Sequence, residues 1–137
     1  MTKDEQIGLL KRDVRAWNAL RKEYPINFEV DDIYNEGFIG SDLTGADLRG
    51  VDLSEANLEL ANLTAARLTG AKLSDANWAL SFLDTADLRQ ADLLRADLFE
   101  ARAENADFRG ADRRWCRPRT WPRRCNTGVS TEATGVE

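Results

Sequence analysis

A five-residue period constrains the fold of this chain more than any other feature of its 137 residues. In residues 45–73, GADLRGVDLSEANLELANLTAARLTGAKL, Ala or Val returns every five positions and Leu follows two positions later. Fifteen such quintets begin in phase at positions 41 to 111; the first residue is Ala in twelve and the third is Leu in eleven. A stripe with this period would drift about 140° around a helix at each repeat. The period therefore argues against an amphipathic helix. It also differs from the two-residue period of a β-strand.

Repetition at a fixed period is typical of solenoids, in which each unit buries its apolar side only against its neighbours. If the backbone turns a corner once per quintet, four quintets close one coil, and the next coil stacks above it at the ~4.8 Å spacing of paired strands. Small Ala residues beside Leu suit a narrow interior, and glycines suit the corners. The predicted corner glycines are Gly45, Gly50, Gly70 and Gly110, and the predicted interior columns include Leu43, Leu63, Leu83 and Ala103, then Leu48, Leu68, Leu88 and Phe108, with Trp78 between Leu58 and Leu98.

The repeat, with the consensus A(D/N)LXX, resembles the pentapeptide-repeat proteins over about residues 41–112. The resemblance implies an all-β fold, namely a right-handed quadrilateral parallel β-helix with Leu and Ala inside. The preceding stretch LLKRDVRAWNALRKEYP is similar to the lead-in helix found before the coils of many bacterial members, notably cyanobacterial ones.

The sequence before the repeat predicts one amphipathic helix over residues 3–23. Thr2 and Glu5 have the spacing of a capping box, and Pro25 stops the helix. Its apolar face comprises Ile7, Leu10, Val14 and Trp17. Since an open solenoid end exposes unpaired backbone, we expect this helix to cap the first coil. The predicted organisation is a capping helix with an extended connector over 1–40, a β-helix over 41–112 and a non-repeat tail over 113–137.

The composition argues against an enzyme. The chain has no His, which removes the commonest general base and metal ligand, and its two cysteines, Cys116 and Cys125, make half a zinc site at best. No catalytic, cofactor-binding or metal site is predicted, and no cofactor. No run of apolar residues could span a membrane, and the N-terminus lacks a signal-peptide pattern, so we expect a cytoplasmic protein without a membrane partner.

The charge divides the chain into an acidic body and a basic tail. Residues 1–112 hold 22 acidic and 13 basic residues, whereas residues 113–137 hold 2 acidic and 6 basic residues. The acidic body argues against direct nucleic-acid binding. The tail, RRWCRPRTWPRRCNTGVSTEATGVE, has two interpretations: a basic, aromatic arm for nucleic acid, or a disordered or non-native segment such as a reading-frame slip produces. We prefer the second.

Several large apolar residues occupy quintet positions that should face solvent. Leu60 and Leu80 lie one predicted coil apart. An exposed apolar patch often marks a partner surface. The alternative is that the N-terminal helix or the tail covers these residues. The candidate protein-interaction surface comprises Leu60, Leu80, Phe82, Leu94 and Phe99.

Three functions are consistent with these features. The first is a non-catalytic interaction or scaffold module, a monomer or weak dimer, that binds a protein partner of unknown identity. The second comes from the family resemblance: some members are acidic DNA mimics that bind DNA gyrase and protect it from quinolones. Residues 41–112 carry 14 acidic and 7 basic residues, with Asp87, Asp92 and Asp97 as the candidate acidic face. Against it, under four coils span only about 18 Å, and those members dimerise through a C-terminal helix that the tail does not supply. The third is the sensor part of a larger signalling protein.

Overall fold

The computed structural model describes residues 2–23 and 37–114. The described elements are two helices, α1 (Lys3–Arg12) and α2 (Val14–Glu23), followed by a coiled chain over residues 37–114. The predicted connector, the stop at Pro25 and the tail from residue 115 onward lie outside the described residues.

Parallel β-bridges join residues that are twenty positions apart, so one coil takes four quintets. Each bridge lies at the second residue of a quintet, and backbone hydrogen bonds flank it: Leu48 N donates to Arg67 O at 2.8 Å, and Arg67 N donates to Ala46 O at 2.9 Å. The described coils number just under four. We name four sides by their bridged columns, which are Asp42, Asn62, Phe82 and Arg102 on the first side; Asp47, Arg67, Asp87 and Asp107 on the second; Asp52, Lys72, Asp92 and Asp112 on the third; and Asn57, Asn77 and Asp97 on the fourth.

The corners between sides follow from two local devices. Every fifth residue from Gly40 to Gly110 has a positive φ, between 51° and 70°, which includes the four predicted glycines and ten residues that are not Gly. The next N–H closes a turn, as Ala46 N donates to Leu43 O at 3.1 Å. The turn runs from the third residue of one quintet to the first residue of the next, so the residue with positive φ is at position i+2, as in a type II turn. The Asp or Asn at the second position accepts from the fourth N–H, as in Asp52 Oδ1 with Ser54 N at 3.1 Å. This bond explains why the repeat prefers Asp and Asn there.

The interior is filled by the first and third residues of the quintets. All of the predicted interior positions are fully or almost fully buried, so the predicted phase is confirmed. Trp78 is completely buried, and Ala56, Ala76 and Ala96 around it are nearly so. Small residues beside the indole leave room for it in a closely packed interior. Ser81, in a position that most quintets give to Ala, is also fully buried.

The prediction of a single N-terminal helix is wrong, because the helix breaks at Asp13. Asp13 has φ −149° and ψ 88°, and its Oδ1 accepts from Ala16 N at 3.0 Å. Asp side chains compete for backbone N–H groups in this way, which favours a new helix start over continuation. The capping box is confirmed: Thr2 Oγ1 accepts from Glu5 N at 3.2 Å, and Glu5 Oε2 accepts from Thr2 N at 2.7 Å.

Helix α2 lies against the third side at the start of the coil. Asp52 N donates to Asn18 Oδ1 at 2.8 Å, and Asp52 O accepts from Trp17 Nε1 at 2.8 Å. Elsewhere on this side the same backbone groups bond between coils, as when Lys72 N donates to Val51 O. Arg21 similarly donates to Ser54 O. The side chains of α2 therefore take the place of a preceding coil at this edge.

Candidate protein-interaction surface

Four large apolar side chains are exposed around the fourth side. Leu60, Leu80 and Phe99 are exposed by 46%, 37% and 47%, and Phe82, just past the corner on the first side, by 39%. Their backbones are joined coil to coil: Leu60 N donates to Ala79 O at 3.1 Å, and Leu80 N donates to Phe99 O at 2.8 Å. We call these four residues the apolar patch. The structure thus brings together four of the five predicted surface residues.

Leu60 and Leu80 occupy strained corner positions. Both have φ of 59°, in the left-handed region that favours Gly. A left-handed Leu costs about 1–2 kcal/mol of backbone energy, and an exposed side chain returns little of it through burial. The coil imposes this φ at every corner, and ten of the corners are not Gly. What distinguishes Leu60 and Leu80 among them is a large apolar side chain that remains exposed.

Leu94 does not belong to the patch, which corrects the sequence prediction. It lies on the third side, where its N–H donates to Asp92 Oδ1 at 3.0 Å, and it is half-buried. The corner at Arg95 separates it from the fourth side, and Arg95 is held there by Asp75 at 2.6 Å. The period of five moves a residue by one side at each repeat, so neighbours in sequence need not share a surface.

The N-terminal helices leave the patch exposed. The hydrogen bonds that α1 and α2 donate to the coil end at Ile39, Gly50, Asp52 and Ser54. Lys3 Nζ approaches the lower edge of the fourth side at Ile39 O, 2.6 Å away. The interpretation that the helix covers the patch is therefore wrong, and coverage by the tail concerns residues outside the described part.

The fourth side carries uncompensated negative charge. Its quintets, 56–60, 76–80 and 96–100, contain Glu59, Asp97 and Glu100 and no Lys or Arg. Within the described residues none of these three carboxylates forms an ion pair. On the other sides Arg residues neutralise Asp residues, in the pairs Arg49 with Asp47, Arg89 with Asp87, Arg109 with Asp107, Arg95 with Asp75, Arg114 with Asp112, and Arg102 with Asp84.

The predicted acidic face of Asp87, Asp92 and Asp97 is not formed. The bridged columns place these residues on the second, third and fourth sides respectively. Asp87 is moreover bound by Arg89, whose hydrogen bonds lower the pKa of the Asp87 carboxyl to about 2. The candidate acidic face named for the DNA-mimic hypothesis is therefore divided among three sides of the coil.

Sequence reasoning missed two features of the surface. The first is the Arg–Asp pairing between the second and fourth residues of one quintet, as in Arg49 and Asp47. The second is that the fourth-side quintets 56–60, 76–80 and 96–100 contain no Lys or Arg, which the twenty-residue period could have revealed. Over residues 2–23 and 37–114 there is no group of three or more His, Cys, Asp or Glu residues that could hold a metal ion. Neither described helix has the length and apolar character to cross a membrane.

Comparison with known proteins gives one consistent result. The sequence pattern of the family described as pentapeptide repeats matches residues 40–77 and 83–112, in 8 copies. A pentapeptide repeat protein, Rfr23, from the cyanobacterium Cyanothece 51142 has a similar structure, with a TM-score of 0.57 and 29% identity over 70% of this chain and 58% of that one. The protein alr5209 from Nostoc Pcc 7120 is 32% identical over 71% of this chain and 75% of that one, with a TM-score of 0.46. This chain thus spans 58% of the length of Rfr23. No curated protein sequence matches significantly.

Proposed function

Because the chain belongs to the pentapeptide-repeat family, with the right-handed β-helix solenoid that the family implies, we propose that it is a non-catalytic module that binds another protein through the apolar patch. We place it in the bacterial cytoplasm, as a monomer or weak dimer. The finer architecture is part of this proposal: the coil is quadrilateral in cross-section, and α1 and α2 act as its N-terminal cap.

The observation that carries the proposal is the exposure of Leu60 and Leu80, one coil apart, at corner positions that the fold would accept as Gly. With Phe82 and Phe99 they make four exposed, large apolar side chains around one corner of a repetitive scaffold. Phe is enriched in the buried centre of protein interfaces, and a cluster of exposed apolar side chains marks a partner surface. The surface offers shape and apolar area, which support binding.

A paired substitution tests the proposal. The intact chain serves as bait in an extract of its source organism, beside a variant carrying Leu60→Lys and Leu80→Lys. The matched control carries Ala65→Lys and Thr85→Lys, which lie at the same corner positions on the first side, with φ of 59° and 58°. We expect one partner to bind the parent and the control and to be lost from the Leu60/Leu80 variant, and the purified partner to reproduce this pattern.

Thermal unfolding of the three proteins shows whether the fold is retained. Equal capture by all three would overturn the proposal. Destabilisation of the Leu60/Leu80 variant alone would show that the patch is a covered internal surface, and would overturn it as well.

A further inference from the structure

We infer that the partner's contacting segment is cationic and carries large apolar side chains. The inference rests on the proposed function and names the chemistry that the same surface accepts. It follows from the combination of the apolar patch with the uncompensated carboxylates of the fourth side.

The three carboxylates lie beside the apolar residues. Glu59 adjoins Leu60, Glu100 follows Phe99, and Asp97 Oδ1 accepts from Phe99 N at 3.0 Å. Asp97 and Glu100 share one quintet, whereas Glu59 lies two coils below them. Two coils span ~9.6 Å, which is about one Debye length at physiological salt. Charges this close attract an oppositely charged segment to the patch and reject wrong partners.

The absence of Arg from the fourth side makes these carboxylates available. The six Arg–Asp pairs described above occupy the other three sides. Among the described cations that border this side, Arg95 and Arg102 are held by Asp75 and Asp84, and Lys3 Nζ donates to Ile39 O at 2.6 Å, one coil below Glu59. A Lys or Arg from a partner would therefore pair with carboxylates that form no ion pair within residues 2–23 and 37–114.

The same charges disfavour other occupants. A second copy that docked patch to patch would oppose Glu59, Asp97 and Glu100 with the same three carboxylates, and like charges brought together cost several kcal/mol by rough estimate. Nucleic acid and anionic lipid are repelled for the same reason. A segment that carries both cationic and large apolar side chains complements the carboxylates and the apolar patch together.

The probe is a short fluorescein-labelled peptide in which Lys and Leu alternate, measured by fluorescence anisotropy with the intact chain. Its controls replace either every Lys by Glu or every Leu by Ser. We expect only the Lys–Leu peptide to bind, with an affinity that falls as salt is raised. Glu59→Gln with Glu100→Gln should weaken binding about tenfold, or ~1.4 kcal/mol. The matched pair Asp42→Asn with Glu104→Gln, on the first side, should change it less than about twofold.

The outcomes separate this inference from the proposed function. If the Leu60/Leu80 variant loses the natural partner while the Glu59/Glu100 variant keeps both partner and probe, the patch is a binding site and the cationic inference is wrong. If neither variant affects capture, both fail. A dimer in sedimentation that Leu60→Lys with Leu80→Lys dissociates would assign the patch to a second copy. Tighter probe binding on replacing Arg117, Arg119, Arg123 and Arg124 by Gln would assign it to the chain's own tail. Either result overturns the inference.

Discussion

The indole nitrogen of Trp17 donates a hydrogen bond to the backbone oxygen of Asp52 at 2.8 Å, and this bond joins helix α2 to the first coil. The same ring packs edge-on against Phe38, with 5.5 Å between ring centroids. Trp17→Phe should keep the packing and leave Asp52 O without this donor, at a cost of about 1 kcal/mol. Trp17→Ala should cost about 3 kcal/mol or more, since it also removes a buried aromatic ring. Urea unfolding measures both free energies. If both variants were as stable as the parent, α2 would contribute nothing through this contact.

Two adjacent positions test the phase of the repeat. Leu68 is completely buried, whereas Arg67 is exposed and forms a long ion pair with Asp47 at 3.5 Å. Leu68→Asp should bury an uncompensated charge and unfold the coil. Arg67→Gln should change the free energy of unfolding by about 0.5 kcal/mol or less. Circular dichroism during thermal unfolding distinguishes them, and comparable losses from both substitutions would contradict the assigned interior.

Corner residues offer a pair of opposite substitutions. Thr85 has φ of 58°, which a β-branched residue rarely adopts. Thr85→Gly should therefore raise the free energy of unfolding by about 0.5–1 kcal/mol. Gly70 has φ of 68° and no atom within 4 Å of an added Cβ, so Gly70→Thr should lower it by about 1–2 kcal/mol through backbone strain alone. Chemical denaturation of both variants is the measurement, and changes of the same sign would refute this account of the corners.

Ser81 occupies an interior position at which Ala, the usual residue of the repeat, should be more stable. Its Oγ is buried and has no hydrogen-bond partner within the described part of the chain. Since an unsatisfied buried hydroxyl costs about 1–3 kcal/mol, Ser81→Ala should raise the free energy of unfolding by about 1 kcal/mol. Ser81→Val, which adds volume to a narrow interior, should be the less stable of the two. A destabilised Ala variant would mean that the hydroxyl has a partner.

Asp87 makes stability depend on pH in a defined window. Its pKa is about 2 in the folded chain because Arg89 donates to it, against ~3.9 in an unfolded one. A lowered folded pKa contributes stability that is fully present above the unfolded pKa and is lost as the pH falls towards 2. The difference in stability between parent and Asp87→Asn should be about 1 kcal/mol near pH 6, since water screens the exposed pair, and should vanish near pH 2. In Arg89→Gln, NMR titration should find the Asp87 pKa raised. A stability difference that persists at pH 2 would contradict the assignment.

The coil could be predicted almost completely from the sequence. Each quintet buries its first and third residues against the quintets twenty positions away, so the period by itself assigns Leu68 and Trp78 to the interior. The same reasoning found the corner glycines and the capping box at Thr2. Non-glycine corners such as Leu60 adopt the same φ because the stacked coils impose it.

The surface was predicted less well, because it depends on which side each residue occupies. The apolar patch was identified residue by residue, but Leu94 and the acidic triad of Asp87, Asp92 and Asp97 were assigned to common surfaces that the coil divides. The pairing of Arg89 with Asp87 was visible only in the tertiary structure. The lack of Lys and Arg in the fourth-side quintets, in contrast, could have been found from the twenty-residue period.

The sequence by itself determined the coil, its interior and the start of α1, because these rest on local turns and on contacts that repeat at a constant interval. Only the tertiary structure decided the break at Asp13 and the seating of α2 on Asp52, 35 residues away from Trp17. A single bond between one side chain and one backbone oxygen at that separation produces no periodic pattern in the sequence. It is selected by the unpaired edge of the first coil, which exists only when the coil has formed.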